Sequence, residues 1–242
     1  MNWIKPDWPL PPCVHAATTL RTGGVSTAGY ASLNPAAHVN DDPMHVRTNR
    51  RIIRDRLELP SEPVWLQQVH GIRVIKADLA EGLEEADASF TDKAGTVCAV
   101  LTADCLPLLF CGDNGAVIAA AHAGWRGLAA GVIEKTLVAM NCAEVSVWLG
   151  PAIGPDHFEV GEEVRSAFVA AKPVTHSAFK KADAPGKWLA DIYQLARIQL
   201  AEFEIDEIYG GEYCTVKDAQ RFYSYRRDGA ATGRMASLIW RD

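Results

Sequence analysis

Long apolar runs are missing from this chain. Its longest uninterrupted aliphatic stretches are five or six residues, far below the roughly 20 that cross a bilayer as a helix, so no segment reads as membrane-spanning. Basic excess is missing too: 24 Lys and Arg stand against 30 Asp and Glu, for a net charge of −6. That balance argues against a nucleic-acid binder relying on a general positive field. The start MNWIKPDWPLPP lacks the basic residues and apolar core of a secretory signal, and the expectation is a cytoplasmic protein. The six cysteines, at 13, 98, 105, 111, 142 and 214, then read as reduced thiols rather than a disulfide framework. There is no P-loop, no GxGxxG, no internal repeat and no low-complexity segment. Nothing marks a domain boundary either, so residues 1–242 are expected to form one mixed α/β domain. A chain of this length buries roughly 70% of its unfolded surface and needs no disulfides to be stable.

What is present concentrates in residues 96–127, TVCAVLTADCLPLLFCGDNGAVIAAAHAGWRG. Three apolar runs, 97–101, 106–110 and 116–121, are interrupted every five to seven residues by Gly, Pro or polar turns. This is the pattern of strands buried on both faces. Cys105 falls at the kink between the first two and His122 at the end of the third, before a turn at 124–127. Ends of strands are where an α/β scaffold presents reactive groups.

Around that stretch, residues 1–12 read as an extended surface arm and 14–20 as a strand. The loop Arg21-Thr22-Gly23-Gly24-Val25-Ser26 offers either an anion-binding nest with an arginine beside it or a plain turn. Asp41-Asp42-Pro43 starts a helix to Leu57, whose five arginines (47, 50, 51, 54, 56) read as a solvated face. A strand over 63–71 ends in His70, 74–77 continues it, and the acidic run 81–87 reads as an exposed loop. Then come a helix over 128–140, a strand at 145–149, a rigid Gly/Pro loop at 150–155, a brief strand at 158–160 and a helix at 162–171. Residues 172–187 read as a mobile surface loop. Asp191 caps a helix to about Phe203, and 208–214, 222–226 and 235–240 read as closing strands.

His70, Cys105 and His122 are two imidazoles and a thiol, the composition of a catalytic zinc site with one position open. Their spacings, 35 and 17 residues, match no compact structural zinc motif. On residue types alone three readings stand: a metal site, a buried cysteine with unrelated histidines, or a metal-free Cys105/His122 nucleophile pair acting on an acyl or amide group. Asp104 either orients a ligand, serves as a base or caps the kink.

The segments RTGGVS (21–26), WLQQVHG (65–71), TADCLPLLF (102–110), AAAHAGWRG (119–127), LGPAIGP (149–155), FEVG (158–161), ADIYQLAR (190–197) and FYSYRRDGAATGRMAS (222–237) closely resemble the YfiH family. Its members are also called laccase-domain, polyphenol oxidase or peptidoglycan editing factor proteins, and the similarity covers essentially the whole chain. The resemblance implies an α/β (α+β mixed) single-domain layered sandwich with a mixed sheet, of the cytotoxic necrotizing factor/YfiH-like fold. It also implies a zinc ion on His70, Cys105 and His122, with copper possible in the same site. The activity it implies is phosphorolysis of adenosine, inosine, guanosine or methylthioadenosine, with adenosine deamination as a second activity. Nucleoside and inorganic phosphate would be the partners, with no nucleic acid and no membrane. A peptidoglycan-precursor amidase or cysteine hydrolase is the alternative. A multicopper laccase fits poorly, because its paired His-X-His ligands are absent and there are only seven histidines. Without a P-loop, arginines must hold the phosphate, and Arg21, Arg126 and Arg226 (or Arg227) are the candidates.

Overall fold

The computed structural model describes residues 3–242, and Met1 and Asn2 of the expected arm lie outside them. Two β-sheets face each other. In one, Trp3–Ile4, Val14–Thr19, Met235–Arg241 and Val97–Thr102 run antiparallel in that spatial order. In the other the order is Ile208–Gly210, Val145–Leu149, Leu106–Gly112, Val117–Ala123, Ala88–Thr91 and Val74–Lys76, antiparallel within and parallel at both edges.

Alternation along each strand shows why the central runs are apolar throughout. In Val97–Thr102, Val97, Ala99 and Leu101 face the helix Pro43–Leu57, while Cys98 and Val100 face the second sheet. In Leu106–Gly112, Leu109 and Cys111 meet that first sheet, while Leu106, Leu108 and Phe110 pack under the helices Val132–Met140 and Ile192–Ala201. The result is four layers, helix, sheet, sheet and helices, in agreement with the expected layered sandwich. A further small sheet of Glu159–Gly161, Lys187–Ala190 and Phe179–Lys181 and the helix Glu162–Ala171 flank the last layer.

The caps form as the sequence predicts. Asp42 accepts from Met44 N at the start of Pro43–Leu57, and Asp191 from Gln194 N at the start of Ile192–Ala201. Several other expectations are corrected. The arm is not a surface appendage: Trp3–Ile4 pairs into the first sheet, and Trp8 is buried with its Nε1 donating to Ser146 Oγ. Of the strand expected over 63–71 only Leu66–Gln67 forms, pairing with Glu84–Glu85 inside the run taken for an exposed loop. The turn at 124–127 is already the helix Trp125–Ala130, separated from Val132–Met140 by Gly131 in a left-handed conformation. Residues 172–187 hold a 3-10 turn and part of a hairpin, Phe179–Lys181 against Lys187–Ala190, with Phe179 buried. Residues 222–226 are not a strand, because Ser224 caps the short helix Tyr225–Asp228. Of the five arginines, Arg50 is drawn inward, over the Trp65 ring and bonded to Pro35 O.

Candidate metal centre and its cleft

Residues 102–105 carry the chain from the first sheet to the second, since Val97–Thr102 belongs to one and Leu106–Gly112 to the other. Cys105 therefore lies where the two sheets part. His122 pairs in register with Pro107 and shares the parity of Ile118 and Ala120, so it faces the gap between the sheets. His70 arrives on a loop, in a left-handed conformation at φ 60, which a residue of its kind adopts only under constraint.

That constraint is Asp87. Fully buried, its carboxylate accepts from Val69 N at 3.2 Å, His70 N at 2.9 Å and Gly71 N at 2.6 Å, and pairs with His122 Nδ1 at 2.7 Å. One carboxylate thus fixes the backbone under one histidine and the ring of another. With Nδ1 committed, His122 turns Nε2 toward Cys105 and His70, the arrangement that orients metal-ligating imidazoles. Burial alone would raise the Asp87 pKa, but the bonds from His122 and the loop amides hold it below the ordinary carboxylate value.

The donor atoms of His70, Cys105 and His122 all lie within 4.8 Å of one another, with Cys105 Sγ 3.8 Å from His70 Nε2. Two imidazoles and a thiol at this separation fit a zinc ion with a fourth position open, and by donor type also copper. Gly124 makes room: a Cβ there would sit 2.6 Å from His70 Cδ2 and 3.2 Å from Cys105 Sγ. Burial pushes the Cys105 thiol up, but the His122 and His70 imidazoles outweigh it and bring it down to about 6. Burial pulls His122 down, but the Cys105 thiolate and Asp87 raise it to about 9. Between those limits the metal-free pair is thiolate and imidazolium, and thiolate is the form that binds metal or attacks an electrophile.

Asp104 follows a different course from its neighbour. It lies at φ 90 and is buried. Its Oδ1 accepts from Thr215 Oγ1 at 2.5 Å, and its Oδ2 from Ser224 Oγ at 3.0 Å and Arg226 N at 2.6 Å. These bonds tie the helix Tyr225–Asp228 to the crossover, so the Asp104 carboxylate is turned to that helix and to Thr215 rather than to the kink it was expected to cap.

His70, Cys105 and His122 open into a cleft of about 460 Å³, walled by Trp125, Phe158 and Tyr225 and carrying Arg126, Arg226, Arg234 and His38. Arg126 lies over the Trp125 ring. Arg226 lies over Phe158 and donates to His157 O and Glu159 O. Arg227 turns away, to Asp228 and the carbonyls of Thr215, Val216 and Phe222. Arg21 is not in the cleft: its guanidinium bonds to Ala31 O and Ala219 O and lies over Tyr223. The nest suggested beside it is filled from within, with Gly23 N and Gly24 N donating to Ser32 Oγ and Val25 N to Asn49 Oδ1. Asp87, His38 and Arg234 were not singled out by sequence. Asp87 alone had a usable signal, as the last acidic residue before the strand-like run Ala88-Ser89-Phe90-Thr91.

A family model described as multi-copper polyphenol oxidoreductase laccase matches residues 15–242. A purine nucleoside phosphorylase of Pseudomonas aeruginosa is 54% identical over 240 residues, covering 98% of each chain. Purine nucleoside phosphorylase YfiH of Escherichia coli is 52% identical over 240 residues with the same coverage. Among solved structures, a Neisseria meningitidis protein of family DUF152 superposes with a TM-score of 0.95 at 48% identity, covering 100% of both chains. YlmD of Geobacillus stearothermophilus gives 0.89 at 30% identity, covering 100% of this chain and 96% of that one. With a family model over residues 15–242 and relatives more than 50% identical along almost their full length, the chain belongs to the YfiH family, whose model bears the laccase description.

Proposed function

We propose that the protein is a zinc-dependent purine nucleoside phosphorylase that also deaminates adenosine at the same centre. The observation that carries this reading is the composition of one cleft, where the His70, Cys105 and His122 donors share walls with three aromatic rings and three arginines. Relatives named purine nucleoside phosphorylase along almost the full length support it. Adenosine, inosine, guanosine and methylthioadenosine are the candidate substrates. Residues 1–242 are taken as one catalytic unit working in the cytoplasm. Among the described residues no helix is long and apolar enough to cross a membrane.

The chain's own groups divide the work. Trp125, Phe158 and Tyr225 offer flat apolar faces to a purine. The arginines attract the phosphate dianion, whose oxygen forms a bond to C1′ as the C1′–N9 bond breaks and its electron pair leaves with the base. Asp87 keeps the His122 ring from turning, and Asp104 holds Tyr225 and Arg226 in place through the helix they share. Zinc, when bound, supplies Lewis acidity for the attack of water on C6 of adenosine with loss of ammonia. A multicopper oxidase is not supported, because the described residues hold a single three-donor cluster. One observation favours a second reading: Cys105 Sγ lies among the imidazoles of His70 and His122, with donor atoms within 4.8 Å of one another, and a thiol so placed is what a metal-free amidase acting on cell-wall precursors would use.

The test incubates zinc-loaded protein with adenosine, inosine and methylthioadenosine, with and without phosphate, and follows free base, ribose 1-phosphate (or its methylthio analogue) and inosine by mass spectrometry. Phosphate-dependent base release, lost after chelation and in Cys105→Ala together with the bound zinc, is the expected outcome. No product from any nucleoside, with amidase activity retained in the chelated protein, would establish the second reading instead.

A further inference from the structure

Sequence motifs point to arginines in the Arg21 loop and beside His122 as phosphate ligands, but the fold spends or exposes those. Arg21 is outside the cleft and bonded to carbonyls. Arg226 is exposed, with Nη1 committed to His157 O and Glu159 O. Arg126 is exposed at the rim on Trp125. Arg234, in the loop before the strand Met235–Arg241, differs from all of them. It is half-buried and lines the same cleft as the metal ligands. Its backbone N donates to Asn34 Oδ1 at 3.1 Å, and its Nη1 is clamped by Thr232 O at 2.8 Å and Gly233 O at 3.0 Å. The guanidinium lies over the Tyr225 ring, 6.0 Å from its centroid, but Nε and Nη2 have no hydrogen-bond partner among the described residues, and no carboxylate there forms an ion pair with it. The nearby carboxylate, Asp104, has its oxygens occupied by Thr215, Ser224 and Arg226.

We propose that Arg234 is the anchor of the phosphate co-substrate, its free Nε and Nη2 edge taking two phosphate oxygens while the neighbouring His38 donates to a third. The proposal rests on the phosphorolysis reading for its role in turnover, but not for the binding itself. A guanidinium drawn out of water is costly to hold; Cys105 and Asp104 lie near enough to offset part of that cost, and a dianion in the cleft offsets more. The fork geometry of arginine matches two phosphate oxygens, and Nη1 is pinned so that the fork is already oriented when the anion arrives. His38 lines the same cleft. Its partial burial, and then the Arg234 guanidinium, hold it below its ordinary pKa. A neutral imidazole there adds a donor without adding to the repulsion.

The experiment compares zinc-loaded wild type, Arg234→Gln and Arg234→Lys. In Arg234→Gln the KM for phosphate should rise roughly 10–100-fold, the span expected for losing a charge-assisted pair of hydrogen bonds. The KM for inosine and the phosphate-independent deamination of adenosine should change several-fold less than the KM for phosphate does. Arg234→Lys, which keeps charge but not the fork, should recover part of the loss. An unchanged phosphate KM in Arg234→Gln of wild-type zinc content overturns the proposal, and so does a parallel fall in deamination, which would make Arg234 a support of the metal site. A second measurement needs no variant: phosphate added to wild-type protein should protect Arg234 from phenylglyoxal, read by peptide mass spectrometry, while Arg126 stays reactive. Absence of protection at Arg234 overturns the proposal. If wild type shows no phosphate-dependent turnover yet Arg234 is protected, the phosphorolysis reading fails and the anion site stands.

Discussion

Asp87 does more than any other single side chain outside the ligand set. Three backbone amides of the 69–71 loop and one imidazole converge on its two oxygens. In Asp87→Asn one acceptor oxygen becomes an NH2 facing N–H donors, so bonds are lost and donors are opposed. The expected result is a stability loss of about 1–3 kcal/mol for unpaired buried groups, together with a roughly 10–100-fold drop in zinc affinity from a loosened His122. Urea unfolding and competition with a chromophoric chelator measure the two effects separately. Zinc affinity within twofold of wild type would remove Asp87 as an orienting residue. His70, Cys105 and His122 were legible in the sequence because strand-like runs end near each of them and the motifs are specific. Asp87 was not, because the acidic run around it reads as solvated. Arg234 and His38 were silent for a different reason: each is one polar residue in a loop, and only the tertiary fold turns it toward the cleft.

Among the elements, the crossover at 102–105 is the piece on which the cleft turns. It delivers Cys105 to the ligand set and Asp104, one residue earlier, to the cap of Tyr225–Asp228. Asn tolerates the left-handed conformation of Asp104, so Asp104→Asn isolates the loss of charge and acceptor. It should fold with about 1–3 kcal/mol less stability and bind full zinc, but with a raised KM for nucleoside because Tyr225 and Arg226 lose their anchor. Metal content and KM measured on the same preparation test this, and a fall in zinc would contradict the separation of roles. The central strands were readable because both faces are buried and every position is apolar. The hairpin at 179–190 was not, because its lysines and glycine are what a mobile loop also shows. Residues 222–226 misled in the opposite sense: aromatic residues favour strands, but Ser224 and the Asp104 carboxylate capture the chain as a helix.

For the molecule as a whole, stability resides in apolar clusters between four layers, and of the three donors only His122 is buried, at the end of its strand. Chelation should therefore leave the far-ultraviolet circular dichroism unchanged. The melting temperature should fall only by the linkage term, which is about 2.7 kcal/mol when free zinc is at 100 times its dissociation constant. Addition of zinc to the chelated protein should restore both melting temperature and activity without a refolding step, and collapse of the spectrum on chelation would contradict this division. Burial of the central strands on both faces was readable in their continuous apolar runs and the layered sandwich in the family resemblance, whereas the pairing of Val14–Thr19 with Met235–Arg241 joins segments too far apart in sequence for any local pattern to reveal.

The hydrogen bonds of Asp87 set His70 and His122 in place by the protein's own donors and acceptors, so the site takes its shape before an ion arrives. Loading then becomes an exchange with the surroundings, and supply rather than folding decides which ion is taken up. Cells grown with excess copper should yield copper protein, and cells grown with zinc should yield zinc protein, from the same chain. A single chelated batch, divided and loaded with each ion in turn, would then assign each catalytic activity to the ion that supports it.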